Sequence, residues 1–387
     1  MPTPVSILKT RVAAAPFNLP EAIARTAAMT GRTLPSIAFA VLAAVRKKRG
    51  LTAQEYFVQG AWIGDPQERA AFLGGRGNAW LNASMTGARM HDQTALTLDK
   101  YLAGLILEAN GFPVPKLKAA FAVDRPFGKL PTLDTASALA DWIGEAGNLP
   151  TFAKPVDGSM ALGSVPLQVA GGVEQVDIGG RVVPALELAQ EVARAYPRGW
   201  LLQELIRQPD EVEALIGPGV GTVRVVTLWE ADGPQVMYAV WRHPAVGTWV
   251  DAAVHGKPNV GCAVDLATGQ VTRVHLGDLF TGREITQSLV TPELALIGFR
   301  LPGWQEMVTM CCEAHRLFPG HALLGWDIAM SRRGPVIGEV NASPLHMSYQ
   351  RAFRRGFLHP DHVTRLDAAR ALMQRRVAGY DARNKAR

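Results

Sequence analysis

Short β-branched stretches at 150–156, 165–170, 200–206, 222–229 and 235–241 alternate with helical patterns at 135–146 and 184–195. This alternation is the strongest constraint on the fold, because it needs sheets and helices packed together. The pattern is α+β, with mixed or antiparallel sheets. Two hairpins are legible, one turning at Ala267-Thr268-Gly269 and one at Arg332-Arg333-Gly334.

The first 95 residues read as mostly helical, with Gly-rich breaks around Gly74 to Gly77 and no obvious strands. From Thr97 the texture changes. Leu98, Leu102, Leu105 and Ile106 keep helical spacing, Gly111 reads as a helix stop, and Pro113 and Pro115 mark the exit. After Pro344 a basic helical tail runs from about Gln350 to about Val377, broken near Pro360.

At 387 residues, 48% hydrophobic and 19% charged, the chain is globular and long enough for two or three packed units without staples. Cys262, Cys311 and Cys312 form no CxxC pair and read as reduced core thiols of a cytosolic protein. The longest apolar run in the N-terminal region, Ile37 to Val45, is shorter than the roughly 20 residues that span a bilayer. Its charges, Arg46 to Arg49, follow it, unlike those of a signal peptide. The commoner reading is a buried helix with a solvated basic end in a soluble, cytoplasmic protein; the alternative is a basic surface helix touching a membrane or partner. The excess of 40 Lys and Arg over 34 Asp and Glu suits acidic ligands, but it is too weak and dispersed to indicate nucleic acid.

The most informative segment is Gly325-Trp-Asp-Ile-Ala-Met, a Ser-Arg-Arg-Gly turn, then Pro-Val-Ile-Gly-Glu-Val-Asn-Ala-Ser-Pro344. Glu339 and Asn341 are two apart on one strand and share a face, and a tight turn brings Asp327 nearly opposite. Three oxygen ligands from adjacent strands suit a hard cation such as Mg²⁺ that bridges a nucleotide. Taken alone, such residues more often face water.

Lys154 ends an apolar strand and precedes a loop with Gly158, Ser159, Gly163 and Ser164. A Lys there can hold phosphate oxygens while the loop closes over them with backbone N–H groups; the plainer reading is an exposed Lys before a polar turn. Trp200 to Ile206 is an apolar strand interrupted by Gln203 and Glu204 and followed by acidic residues at 210–213. Its backbone can meet adenine and a later carboxylate ribose, or it is an edge strand with solvent-facing polar residues. Gly217-Pro-Gly-Val-Gly fits neither GxGxxG nor GxxxxGK and precedes a strand, which excludes Rossmann and P-loop sites. Thr222 and Arg224 alternate with Val223 and Val225, so Arg224 can clamp a phosphoryl group or a substrate carboxylate.

In order over about 100–345, Asp99-Lys100, Phe152-Ala-Lys154 with its loop, Leu202-Gln-Glu-Leu-Ile206, Thr222-Val-Arg224, Asn259-Val-Gly261, Asp327 and Glu339-Val-Asn341 together resemble the ATP-grasp superfamily. The nearest branch is the sugar-transfer-associated ATP-grasp, related to α-L-glutamate ligase-like proteins. The resemblance implies an ATP-grasp fold of two α+β lobes gripping ATP, preceded by a mostly helical segment at 1–95. The lobes would occupy 96–200 and 201–387, the second carrying the metal site and the basic tail. By the same resemblance Lys100 and Lys154 contact phosphates, Gly158 and Ser159 belong to the covering loop, and backbone at Glu204 and Ile206 meets adenine. Gln203 stands where many members place Glu. Ribose falls to Glu211 or Glu213, with Glu211 favoured. Asp327, Glu339 and Asn341 match ligands for Mg²⁺, with Mn²⁺ as a substitute, and Arg224 matches a catalytic or phosphate-binding Arg.

The implied reaction is carboxylate activation by ATP as an acylphosphate, attacked by an amine, so the partners are ATP, a small carboxylate and an amine. The setting would be cell-surface polysaccharide or peptide-like metabolite biosynthesis. Asn259 and Lys257 are candidates for the acceptor pocket, and Arg351, Arg354 and Arg355 share a helical face that suits an anionic substrate or simply faces solvent. Two alternatives stand beside the ligase: an ATP-grasp-fold kinase acting on a hydroxyl, and an inactive nucleotide-binding scaffold.

Overall fold

The computed structural model describes residues 6–8, 16–87, 93–158, 161–249 and 258–385. The N-terminal region is helical, as expected: α1 (Leu19–Thr30), α2 (Leu34–Arg46), α3 (Ala53–Val58), α4 (Pro66–Ala70), α5 (Gly75–Ser84) and α6 (Gln93–Leu98). Local chemistry sets these ends. Asn18 caps α1, Thr33 caps α2, and Thr52 with Glu55 forms a reciprocal capping box on α3. Gly75 opens α5 rather than breaking the chain, because the Glu55 carboxylate accepts its N–H at 2.7 Å.

Next, α7 (Lys100–Ala109) leads into the first lobe: β1 (Leu117–Phe121), β2 (Thr132–Leu133), α8 (Ala136–Gly144), β3 (Thr151–Pro155), β4 (Val165–Val169), β5 (Gln175–Asp177), β6 (Val182–Pro184), α9 (Ala185–Ala195) and β7 (Trp200–Glu204). They form a seven-stranded sheet in the order β2-β1-β7-β3-β4-β5-β6, antiparallel except for the β1–β2 pair. Burial alternates along β3: Thr151, Ala153 and Pro155 are buried, while Phe152 and Lys154 turn the other way. Ala153, Leu167 and Leu202 pack with Leu139 and Ile143 of α8 and Leu188 and Val192 of α9. Because β7 lies between β1 and β3, the first lobe runs through Glu204, not to the expected boundary at 200.

The second lobe follows α10 (Asp210–Ile216): β8 (Thr222–Glu230), β9 (Gly233–His243), β10 (Val260–Val264), β11 (Val271–Leu276), β12 (Arg283–Glu284), α11 (Trp304–His315), β13 (Leu323–Ser331), β14 (Gly334–Asn341), α12 (Met347–Phe353) and α13 (Pro360–Lys385). Its seven strands run β12-β11-β10-β9-β8-β13-β14, all antiparallel, with both expected hairpins in place. One face buries Val223, Val225, Trp241 and Ile328 against Met307 and Cys311 of α11. On the other, Val226, Leu228 and Tyr238 pack against α12 and α13 through Tyr349, Leu366 and Met373. Beyond that patch the same face turns polar. Helix α7 contributes Tyr101 to a core of the first lobe and Ala103 and Leu107 to the main core of the second.

The N-terminal helices gather around Phe57, Ile37 and Trp62 and seat on Leu279 and Phe280, just after β11. Of α2, only Ile37 and Val41 are buried; Leu34, Phe39, Leu42 and Val45 are exposed, so the expected burial of this run holds for one face alone. Among the described residues no single helix is long and apolar enough to cross a membrane, and α1 and α2 meet at 117°.

Candidate active site

Strand register builds the polar face. Arg224 on β8 lies opposite Asp327 on β13, and Asp327 opposite Glu339 on β14; one step along, Thr222 lies opposite Arg242 on β9. The β13–β14 register shifts after Asp327, leaving Gly338 as the extra residue of a bulge. The Gly338 carbonyl accepts a 3.0 Å hydrogen bond from Lys154 Nζ of the first sheet. Gly325, two residues before Asp327, must stay bare. A Cβ there would come within 2.8 Å of Pro344 and 3.4 Å of the Arg224 side chain.

Both sheets wall a cavity of about 770 Å³. Phe152, Lys154 and Gln203 enter from the first sheet, and Arg224, Arg242, Asp327, Glu339 and Asn341 from the second. Lys100, Gly158 and Ile206 line it from the connections between them, and Asn259, His275 and Arg351 line it as well.

Asp327 is the electrostatic centre. Its carboxylate accepts from Nε and Nη2 of Arg224, the latter at 2.9 Å, and from Arg242 Nη2 at 2.9 Å. Burial alone would raise its pKa, but the two guanidinium groups hold it well below the usual carboxylate range. Burial likewise works against the Arg224 charge, and the Asp327 carboxylate more than reverses this. Among the described residues Lys154 has no carboxylate partner within ion-pair distance. Burial lowers its ammonium to about 8, with Glu339 and Asp327 opposing the shift and Lys100 adding to it. Lys100, the first residue of α7 behind its Asp99 cap, donates to the Gly158 carbonyl at 2.9 Å and lies 3.6 Å from Glu339 Oε1. Five cations, Lys100, Lys154, Arg224, Arg242 and Arg351, thus line the cavity with three carboxylates, Asp157, Asp327 and Glu339, an excess suited to a polyphosphate.

The oxygen donors fit a hard divalent cation. A carboxylate offers about four lone-pair sites and Asp327 uses three on arginines, so it can give one. The Asn341 amide has a buried Nδ2 with no hydrogen-bond partner among the described residues, leaving it free to turn its oxygen to the cavity, and Glu339 faces the same space. Among the described residues no three His, Cys, Asp or Glu side chains could hold a metal by themselves, so the set depends on Asn341.

Not every expected residue converges. Glu204, expected to contribute its backbone, turns its carboxylate to Arg333 at 2.9 and 3.0 Å and is not among the lining residues. Glu211 is exposed on α10, and Glu213 beside it is also outside the cavity lining. Ser159 and Lys257 lie outside the described residues. Of the three arginines grouped after the hairpin, Arg351 lines the cavity, its Nε buried without a partner, while Arg354 pairs with Glu284 and Arg355 with Asp361. Arg242 was missed, although a lone Arg closing the apolar run Val236-Met-Tyr-Ala-Val-Trp241 was a signal. His275 and Trp249 also line the cavity, and no local pattern marked them.

A family model described as sugar-transfer associated ATP-grasp matches residues 88–365. No curated protein matches the chain. Similar solved structures include a D-alanine-D-alanine ligase from Coxiella burnetii, with 11% identity and a TM-score of 0.42, covering 76% of this chain and 63% of that one. An L-amino acid ligase from Bacillus licheniformis has 13% identity and a TM-score of 0.38, covering 66% of this chain and 43% of that one. A D-alanine–D-alanine ligase from Bacillus anthracis has 11% identity and a TM-score of 0.40, covering 73% and 70%. The chain therefore spans less than two thirds of the first two.

Proposed function

The chain belongs to the sugar-transfer associated ATP-grasp family, and on that premise we propose that it is a Mg²⁺- and ATP-dependent ligase joining a carboxylate to an amine. The observation that carries this reading is the convergence of Lys100, Lys154, Arg224 and Arg242 on Asp327, Glu339 and Asn341 in one cavity walled by both sheets. Lys100 and Lys154 bind the ATP phosphates, with adenine toward Gln203 and Ile206. A substrate carboxylate oxygen attacks the γ-phosphorus and ADP leaves, giving an acylphosphate. Arg224, which has five N–H donors and spends two on Asp327, directs the others at the transferring phosphoryl group.

An amine then attacks the acyl carbon, phosphate leaves, and the amine proton is lost to solvent. No protein nucleophile is required, since positioning and charge stabilisation carry the phosphoryl transfer. Glu339, Asn341 and Asp327 would hold Mg²⁺, which would supply neutralisation of the phosphate charge. Arg351 and Asn259 receive the acid, the half-buried Arg351, whose Nε is buried with no hydrogen-bond partner among the described residues, being suited to a carboxylate. The setting we propose is cell-surface polysaccharide or peptide-like metabolite biosynthesis, for which the family's sugar-transfer association is the support.

The test is ADP release over a panel of acids with hydroxylamine as trap. Acid-dependent hydroxamate supports the ligase. ADP without hydroxamate moves the protein to the kinases, and no ADP from any acid or amine overturns the reading.

A further inference from the structure

Helix α2 is apolar on both sides. Ile37 and Val41 face inward, yet Phe39 is 73% exposed, Leu34 53%, Leu42 45% and Val45 41%. At 100° per residue Leu34, Ala38, Leu42, Val45 and Phe39 fall on one continuous outer surface. A soluble monomer gains nothing from presenting such a stripe to water.

The stripe runs directly into Arg46, Lys47, Lys48 and Arg49, all exposed, and no acid occurs from Leu34 to Gly50. None of the four forms an ion pair with a described residue, although Arg49 stacks on Trp80 with its guanidinium 3.4 Å from the ring centre. Beside them a cleft of about 270 Å³ joins Lys47, Arg49 and Arg69 to an apolar floor that includes Leu51, Phe72 and Leu81, and Trp80, 39% exposed, stands at its edge. An apolar stripe, a band of cations with no balancing acid, and a cleft that is charged at one end and apolar below match one surface. Acyl chains meet the stripe, and phosphates meet the cations.

We propose that the outer face of α2 with residues 46–49 docks the protein on an anionic phospholipid bilayer, lying in the interface rather than spanning it. One helix of 13 residues inclined at 117° to its neighbour cannot cross the hydrocarbon. Each cation near an anionic surface strengthens binding about fivefold, so the band sets the preference for anionic lipid while Phe39 and Leu42 anchor.

The experiment is flotation of the full chain with vesicles of phosphatidylcholine alone and of phosphatidylcholine with 30% phosphatidylglycerol, beside sedimentation equilibrium without lipid. Expected is binding to the anionic vesicles alone, weakened by salt, lowered about 25-fold in Lys47→Gln/Lys48→Gln and lost in Phe39→Asp/Leu42→Asp. Both variants change exposed residues, and unchanged circular dichroism and thermal melting confirm their folding. Equal binding to neutral vesicles overturns the proposal, as does undiminished binding of folded Phe39→Asp/Leu42→Asp. A lipid-indifferent dimer abolished by that same variant also overturns it, making the face a self-association surface.

Discussion

Three residues that look equivalent in the sequence, Asp327, Glu339 and Asn341, do different work in the structure. Asp327 is tied to Arg224 and Arg242, whereas among the described residues Glu339 pairs only with Lys100, at 3.6 Å. Removing one partner of a buried ion pair costs about 3–5 kcal/mol, because the other charge is left unpaired. Asp327→Asn is therefore expected to lower unfolding free energy by about 3 kcal/mol in a denaturant titration, and Glu339→Gln by less than about 1 kcal/mol. Lys154 gives a pH signature. Its ammonium, lowered to about 8, binds phosphate while charged, so ATP affinity should be flat below pH 8 and fall up to tenfold per pH unit above it. Lys154→Arg should remove that fall over pH 8–9.5 in calorimetric titrations. The hairpin donors were legible because strand alternation fixes which side chains share a face. The Asp327–arginine pairing was not, since it depends on the register of β8 against β13.

Among the elements, the β13–β14 hairpin was readable from a Gly-closed turn between alternating strands, and α8 and α9 from their apolar spacing. The Gly338 bulge was not readable, for a one-residue register shift leaves no trace in periodicity. The seat of α11 is equally hidden. Thr227 Oγ1, wholly buried, accepts from Trp326 Nε1 at 2.9 Å and meets His315 Nδ1 at 2.8 Å, joining helix to sheet. Thr227→Val keeps the shape but strands both partners. An expected loss of about 2–6 kcal/mol in unfolding free energy follows, from about 1–3 kcal/mol for each of the two buried groups left unsatisfied. A loss below about 0.5 kcal/mol would show that the junction contributes nothing.

Across the whole molecule, motif order over 100–345 carried the family, because the site is assembled from segments whose sequence order the fold preserves. The docking of the N-terminal helices on Leu279 and Phe280 was invisible, being a contact between distant apolar patches with no local signature. Four histidines link the packed whole to pH. Burial lowers His243, His315, His346 and His362 to about 3. Unfolded imidazoles take up protons below about 6.5. Stability is therefore highest above that value and is lost as pH falls toward 3, by up to about 1.4 kcal/mol per histidine per pH unit. Denaturant midpoints are expected to drop by several kcal/mol equivalent from pH 7 to pH 5, before the carboxylates titrate. A flat profile over that range would contradict neutral burial.

We propose that Glu339 and Asn341 complete a metal-dependent ATP site between the two sheets. Calorimetric titration of wild type and Glu339→Gln with ATP, with and without Mg²⁺, tests it most directly, since this substitution leaves the Asp327 pairing alone. Mg²⁺-strengthened binding is expected in the wild type, and loss of that strengthening, with metal-free binding retained, in the variant. Mg²⁺-strengthened binding unchanged in folded Glu339→Gln, or no ATP binding by the wild type under either condition, would contradict it.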